Sequence, residues 1–319
     1  MEDYSKIRIQ YINNWPNVTY FGAEEIYRKK YDELTAKGEN LFSPTKMWIN
    51  MDKEYNICIS HLIDSLDMLP YYPNHGFLFA FVALDRLLSA KYSGESNLTK
   101  KLKMFADYLY KLEQTYSSIK CVFQNLYHIL PIQSCILLAN AIFNKTMSKN
   151  ADNTTKVEES NAYKRITKDS NAKTCTYRKN IIDAITRKYS IGDKLEPKVQ
   201  RQVACLFKKI FICDGVQIDG VDVTDYEKLR HHLLVSGIIY SFRNMGAHGS
   251  SMAFSKSSLT DMKRYALNYF CFLSVYTISM IGMIDLYYTD DKVEKYSELE
   301  KTTKKNCSQM RNFFGHNLN

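Results

Sequence analysis

Six consecutive residues, "RNMGAH" at 243 to 248, place a permanent cation, an amide and a titratable imidazole side by side. Arg243 stays charged and forks onto two oxygens of a phosphate as negative charge builds there. His248 carries the side chain whose ordinary pKa of ~6.5 lets it take or give a proton near neutral pH. Asn244 offers an amide that can hydrogen-bond to the imidazole and set its tautomer. These three types suit cleavage of RNA without a metal. The ribose 2′-hydroxyl loses a proton and attacks the adjacent phosphorus, the 5′-oxygen leaves as a hydroxyl, and a 2′,3′-cyclic phosphate remains.

On an unbroken helix, five steps of about 100° leave Arg243 and His248 about 140° apart. Gly246 and Gly249 therefore suggest a turn that brings both groups to one surface, since glycine weakens a helix interior. A single histidine supplies a base or an acid, not both. The pattern recurs in type at the end of the chain, "RNFFGH", with Arg311, Asn312 and His316. That copy either completes the first site or is structural, with Phe313 and Phe314 docking the tail. Asp85 has two readings, a buried counter-ion for Arg243 or the polar edge of its helix. His231 and His232 read as one exposed and one partly packed residue, and His61 and His128 as structural.

The elements around these residues are helical almost throughout. An apolar helix is expected from Gly76 to Tyr92, and another opens at Ser96 or Asn97. Leu98, Leu102, Phe105, Leu109 and Leu112 stripe one face of the latter. "CVFQNLYHIL", "IQSCILLANAIF", "IIDAITRKY" and "PKVQRQVACLFKKIFIC" supply further helices. Thr224 with Glu227 has capping-box spacing ahead of "YEKLRHHLLVSGIIYSF", and Ser258 with Asp261 offers a comparable start for the last long helix. The candidate site thus ends one helix and precedes the next. Only "GVQIDGVDV" alternates like a strand, and a small hairpin is expected there. Residues 144–179 are polar and read as a loop or mobile insertion. The chain divides into an N-terminal extension (1–60), a helical domain (61–290) holding that insertion, and a C-terminal tail (291–319).

The chain has 319 residues, 45% of them hydrophobic, enough for an ordinary core, and a net charge of +9 that favours polyanionic partners. The basic runs at 100–103 and 207–209 either track RNA backbone or are solvated faces. Eight scattered cysteines with no C-x-x-C pair fit reduced thiols in a cytoplasmic protein. No secretory signal is visible at the start. Residues 266–284 carry no charge over nineteen positions; their polar residues favour a core helix over a membrane span. There is no P-loop, G-x-G-x-x-G, H-E-x-x-H or G-x-S-x-G.

R-N-x-x-x-H at a helix end, followed by a long apolar helix, resembles the HEPN superfamily of helical RNA-cleaving domains. The apolar helix "FLFAFVALDRLLSAKY" is similar, more loosely, to an early helix of that fold. The resemblance implies an all-α, HEPN-like bundle and a metal-independent endoribonuclease needing no cofactor, such as a defence or toxin-type effector. Arg243, Asn244 and His248 would form its active site, as would Arg311, Asn312 and His316 if the second copy serves. It also implies RNA as substrate, a homodimer that pairs two motifs across one interface, and a protein antitoxin or regulator as a further partner, with no membrane. One HEPN subgroup has a modifiable tyrosine two residues past the histidine; here that position is Ser250. A non-catalytic HEPN-like module that binds RNA or protein has the same sequence pattern, and a membrane-attached helical protein is the third class.

Overall fold

A computed structural model describes the chain from Asp3 to Asn319, apart from residues 18, 150–154, 214–215, 217, 219–222 and 248–255. Seven helices come first: Tyr4–Asn13 (α1), Gly22–Thr35 (α2), Lys53–Asp67 (α3), Pro73–Lys91 (α4), Leu98–Thr115 (α5), Ser117–His128 (α6) and Ile132–Phe143 (α7). An antiparallel hairpin of Thr146–Lys149 (β1) and Thr155–Glu158 (β2) follows. Then come Asn161–Thr167 (α8), Thr176–Lys188 (α9) and Pro197–Ile212 (α10). A continuous helical rod runs from 223 to 247, made of Val223–His232 (α11), a π-helical stretch Leu233–Ile239 and Tyr240–Ala247 (α12). Met262–Tyr287 (α13) and Lys292–Phe314 (α14) complete an all-α architecture.

The central element is α13. Every residue from Tyr265 to Asp285 is buried, as expected of a helix apolar on all sides. It has the length and composition of a membrane span, yet its whole apolar window is covered by protein. α4 packs along one side of it and α14 along another, and α2, α3, α7, the π-helical stretch 233–239 and the C-terminal turn 315–318 cover the rest. Gly282 permits the closest approach: a Cβ there would lie 2.4 Å from Leu87 Cδ2 on α4. Asp261 caps the helix by accepting from the Arg264 amide at 2.8 Å, so the cap is Asp261 and not Ser258.

The N-terminal segment and the tail both belong to this core. Tyr27 of α2 stacks on Tyr265 with ring centroids 4.3 Å apart. The chain between α2 and α3 is tied to α13 and α14 by side chains: Tyr269 donates to the Leu41 carbonyl at 2.7 Å, and Asn306 exchanges two bonds with the Ser43 backbone. Residue 60 falls within α3.

On α5 the predicted stripe is the buried one, with Leu102, Phe105, Leu109 and Leu112 in the core and Asn97 capping the Lys100 amide at 3.2 Å. Residues 144–179 differ from the expected loop. They hold the hairpin, α8 and the start of α9, and α8 buries Ala162 and Ile166 against α7 and the π stretch. Two apolar anchors sufficed because Ser160 both caps α8 and donates to the Ile142 carbonyl at 2.7 Å. α11 begins at Val223, which puts Thr224 inside its first turn. The stretch expected to form a hairpin at 215–223 lies largely outside the described residues.

Candidate functional site

The rod positions the Arg243 motif. Phe242 is buried and meets Phe77 of α4 edge-on, with ring centroids 4.7 Å apart. On the same side Leu78 packs beneath Gly246, whose absent Cβ would sit 3.5 Å from Leu78 Cδ2. This anchorage carries the helix through Gly246 to Ala247, so the glycine does not form the expected break. Packing against α4 offsets the roughly 1 kcal/mol that glycine costs in a helix. His248, Gly249 and Ser250, which come next in the sequence, lie outside the described residues.

Arg243 and Asn244 occupy the last turn of α12, both partly buried. Arg243 Nη1 donates to Asn244 Oδ1 at 3.2 Å, and the guanidinium carbon lies 5.9 Å from the centre of the Phe81 ring. Among the described residues no carboxylate pairs with Arg243. Asp85, one turn along α4 from Phe81, makes no ion pair with it, so the polar-edge reading of Asp85 is the one the contacts support. Asn244 uses its carbonyl oxygen on Arg243 and keeps its amide N–H groups for another acceptor.

The second copy is placed elsewhere. Arg311, Asn312 and His316 are exposed, whereas Phe313 and Phe314 between them are buried. Phe313 meets Tyr27 edge-on at 5.5 Å, and the terminal residue is held by Lys208 and Lys263. Among the described residues no hydrogen bond, ion pair or ring contact joins this set to Arg243. The tail is a docked helix end, with its phenylalanines as the anchor.

The basic runs are largely absorbed by the fold. Lys100 pairs with Glu95 at 3.1 Å, Lys101 donates to Ser89 Oγ at 2.9 Å and Lys103 to the Asp169 carbonyl at 3.1 Å. Lys208 donates to the Leu318 carbonyl at 3.2 Å.

A polar cluster that sequence reasoning missed lies farther up the rod. His231 and His232 are both buried, contrary to the expected exposed-and-packed pair. His231 Nε2 lies 2.6 Å from Glu113 Oε2 of α5, and Nδ1 lies 3.3 Å from the Tyr127 hydroxyl of α6. Arg230 takes the other oxygen of Glu113. His232 Nε2 lies 2.8 Å from Asp107 Oδ1 and also touches Arg178 of α9. Burial lowers the His231 pKa, and burial pushes His232 down to about 4, against the pull of Asp107. Both imidazoles are therefore neutral at pH 7. With His231 neutral, Nε2–H donates to Glu113 and Nδ1 accepts from Tyr127, whose own pKa burial raises. This cluster ends where the π-helical stretch begins. The signal was present in "RHH" inside an apolar run, but the acidic partners are more than a hundred residues away in sequence.

No protein-family model, no curated protein and no solved structure matches the chain. What the structure defines is an all-α bundle with a cation and an amide presented at one helix end.

Proposed function

We propose that the chain is a metal-independent endoribonuclease of the HEPN type, acting through Arg243, Asn244 and His248. The observation that carries this reading is the state of Arg243. It is a half-buried guanidinium at an exposed helix end, held by an amide and an aromatic face, with no carboxylate among the described residues to neutralise it. A partly buried cation without a counter-charge attracts an anion, and its fork matches the oxygens of a phosphodiester.

In this reading Arg243 stabilises the pentacoordinate phosphorane as its equatorial oxygens gain charge. His248 takes the proton of the 2′-hydroxyl as that oxygen bonds to phosphorus. The bond to the 5′-oxygen breaks, and an acid returns a proton to it. A second copy of the motif, from another subunit, supplies that acid. The set at Arg311, Asn312 and His316 has no part in this scheme.

The test is incubation of the purified protein with single-stranded RNA in chelator, followed by end-group analysis. Fragments with 2′,3′-cyclic phosphate and 5′-hydroxyl ends are expected, with Arg243→Ala lowering the rate by about 10²–10³ and His248→Ala by about 10²–10⁴. Full cleavage by both variants would remove the assignment, and binding without cleavage by the wild type would make the chain a binding module.

A further inference from the structure

Arg165, on α8 in the middle of the polar stretch, reaches across to the rod. Its Nε donates to the Ser236 carbonyl at 3.1 Å and its Nη2 to Ser241 Oγ at 3.2 Å, while its guanidinium carbon sits 4.5 Å from the centre of the Tyr240 ring. These bonds occupy two of the roughly five N–H donors a guanidinium carries. Tyr240 and Ser241 precede Asn244 by four and three residues, so Asn244 is the next side chain along the same face of α12. By this spacing the residues that hold Arg165 lie one helical turn from the amide that holds Arg243.

The charges do not balance at this surface. Two buried guanidiniums have carboxylates, Arg178 with Asp107 and Arg230 with Glu113; Arg165 is half-buried. Among the described residues Arg165 has none, and burial pushes its pKa down to about 10. Lys168, at the end of α8, is exposed. The buried Lys103 behind them has its pKa lowered by burial first; Arg178, Lys168 and Arg165 add to that effect, and Asp169 opposes it. Asp169, the nearest acidic residue in sequence, turns its carboxylate onto its own loop, where the amides of Asn171 and Lys173 each donate at 2.9 Å.

We propose that Arg165 and Lys168 bind a backbone phosphate of a single RNA strand, one that neighbours the linkage presented to Arg243. Arg165 is fixed in orientation by Ser236, Ser241 and Tyr240, so its free edge meets the strand without further ordering. Lys168 adds a point charge beside it. The identity of the polyanion rests on the ribonuclease reading; the phosphate site itself does not.

The experiment is equilibrium binding of a 2′-O-methyl oligonucleotide, which cannot be cut, measured between about 50 and 200 mM salt. Arg165→Gln should weaken binding several-fold and reduce the slope of log K against log salt by about 0.7, one single-strand phosphate contact. Arg165→Lys should restore most of the slope, which a merely structural role for Arg165 would not do. An unchanged slope in Arg165→Gln, or no binding by the wild type, overturns the proposal. If Arg165→Gln does not fold, as judged by circular dichroism, the exposed Lys168→Gln is read by the same slope and the same criterion. A wild type that binds with an Arg165-dependent slope but never cuts sinks only the nuclease reading. A wild type that cuts while Arg165→Gln keeps its slope sinks only the phosphate site.

Discussion

His231 Nε2 lies 2.6 Å from Glu113 Oε2, and neither side chain is exposed. This bond ties the rod to α5 at the point where its winding loosens from α to π. Arg230 shares the same carboxylate, so Glu113 carries the charge that makes burial of a guanidinium tolerable.

Removing that carboxylate leaves Arg230 without a counter-charge in the core. Glu113→Ala is therefore expected to cost about 3–5 kcal/mol, read as a fall in the denaturation midpoint. Glu113→Gln keeps the shape and one acceptor oxygen and should cost less. Equal stability of Glu113→Ala and wild type would show that the cluster contributes nothing to the fold.

Acid should destabilise the protein in a defined window. His232 is neutral when folded, with its pKa pushed down by burial to about 4, while an unfolded histidine titrates near ~6.5. Between these values the unfolded chain binds more protons, so stability is full above the upper one and lost as pH falls to the lower. His231 shifts in the same direction. For His232 alone the loss is roughly 3 kcal/mol. Thermal melts across this range should show it, and His232→Gln should flatten the slope.

The rod crosses α7 at Gly237, where a Cβ would sit 2.5 Å from Leu138 Cδ1. Gly237→Ala should cost about 1–3 kcal/mol through overpacking. Leu138→Ala opens space at the same spot, so the double variant should lose less than the sum of the two singles. Additive losses would mean that the two residues do not meet.

At the tail, Phe314 is fully buried and His316 is exposed two residues later. Phe314→Ala should lower stability by about 3–5 kcal/mol. His316→Ala should leave melting as in the wild type and, under the nuclease reading, RNA cleavage as well. Loss of cleavage in His316→Ala with an unchanged melt would return the second copy to the active site.

Arg243→Lys separates charge from shape. The ammonium keeps the cation but not the fork, and it cannot bond Asn244 Oδ1 while presenting two parallel donors. Under the nuclease reading its cleavage rate should lie close to that of Arg243→Ala. A near wild-type rate would mean that charge alone is what this position supplies.

The amphipathic and apolar periodicities of the sequence determined the all-α class, the buried stripe of α5 and the core helix α13, because side-chain burial follows helical spacing directly. The letters of one motif, not periodicity, singled out Arg243, Asn244 and His248 as a candidate site, of which the structure describes the first two. Which charges find partners was decided only in three dimensions. Glu113 and His231 are 118 positions apart, and Arg165 and Ser241 are 76. No local pattern encodes such pairings; they arise where helices cross. The same logic explains why Gly246 continues a helix and why a polar stretch became α8: tertiary packing outweighs local propensities of about 1 kcal/mol.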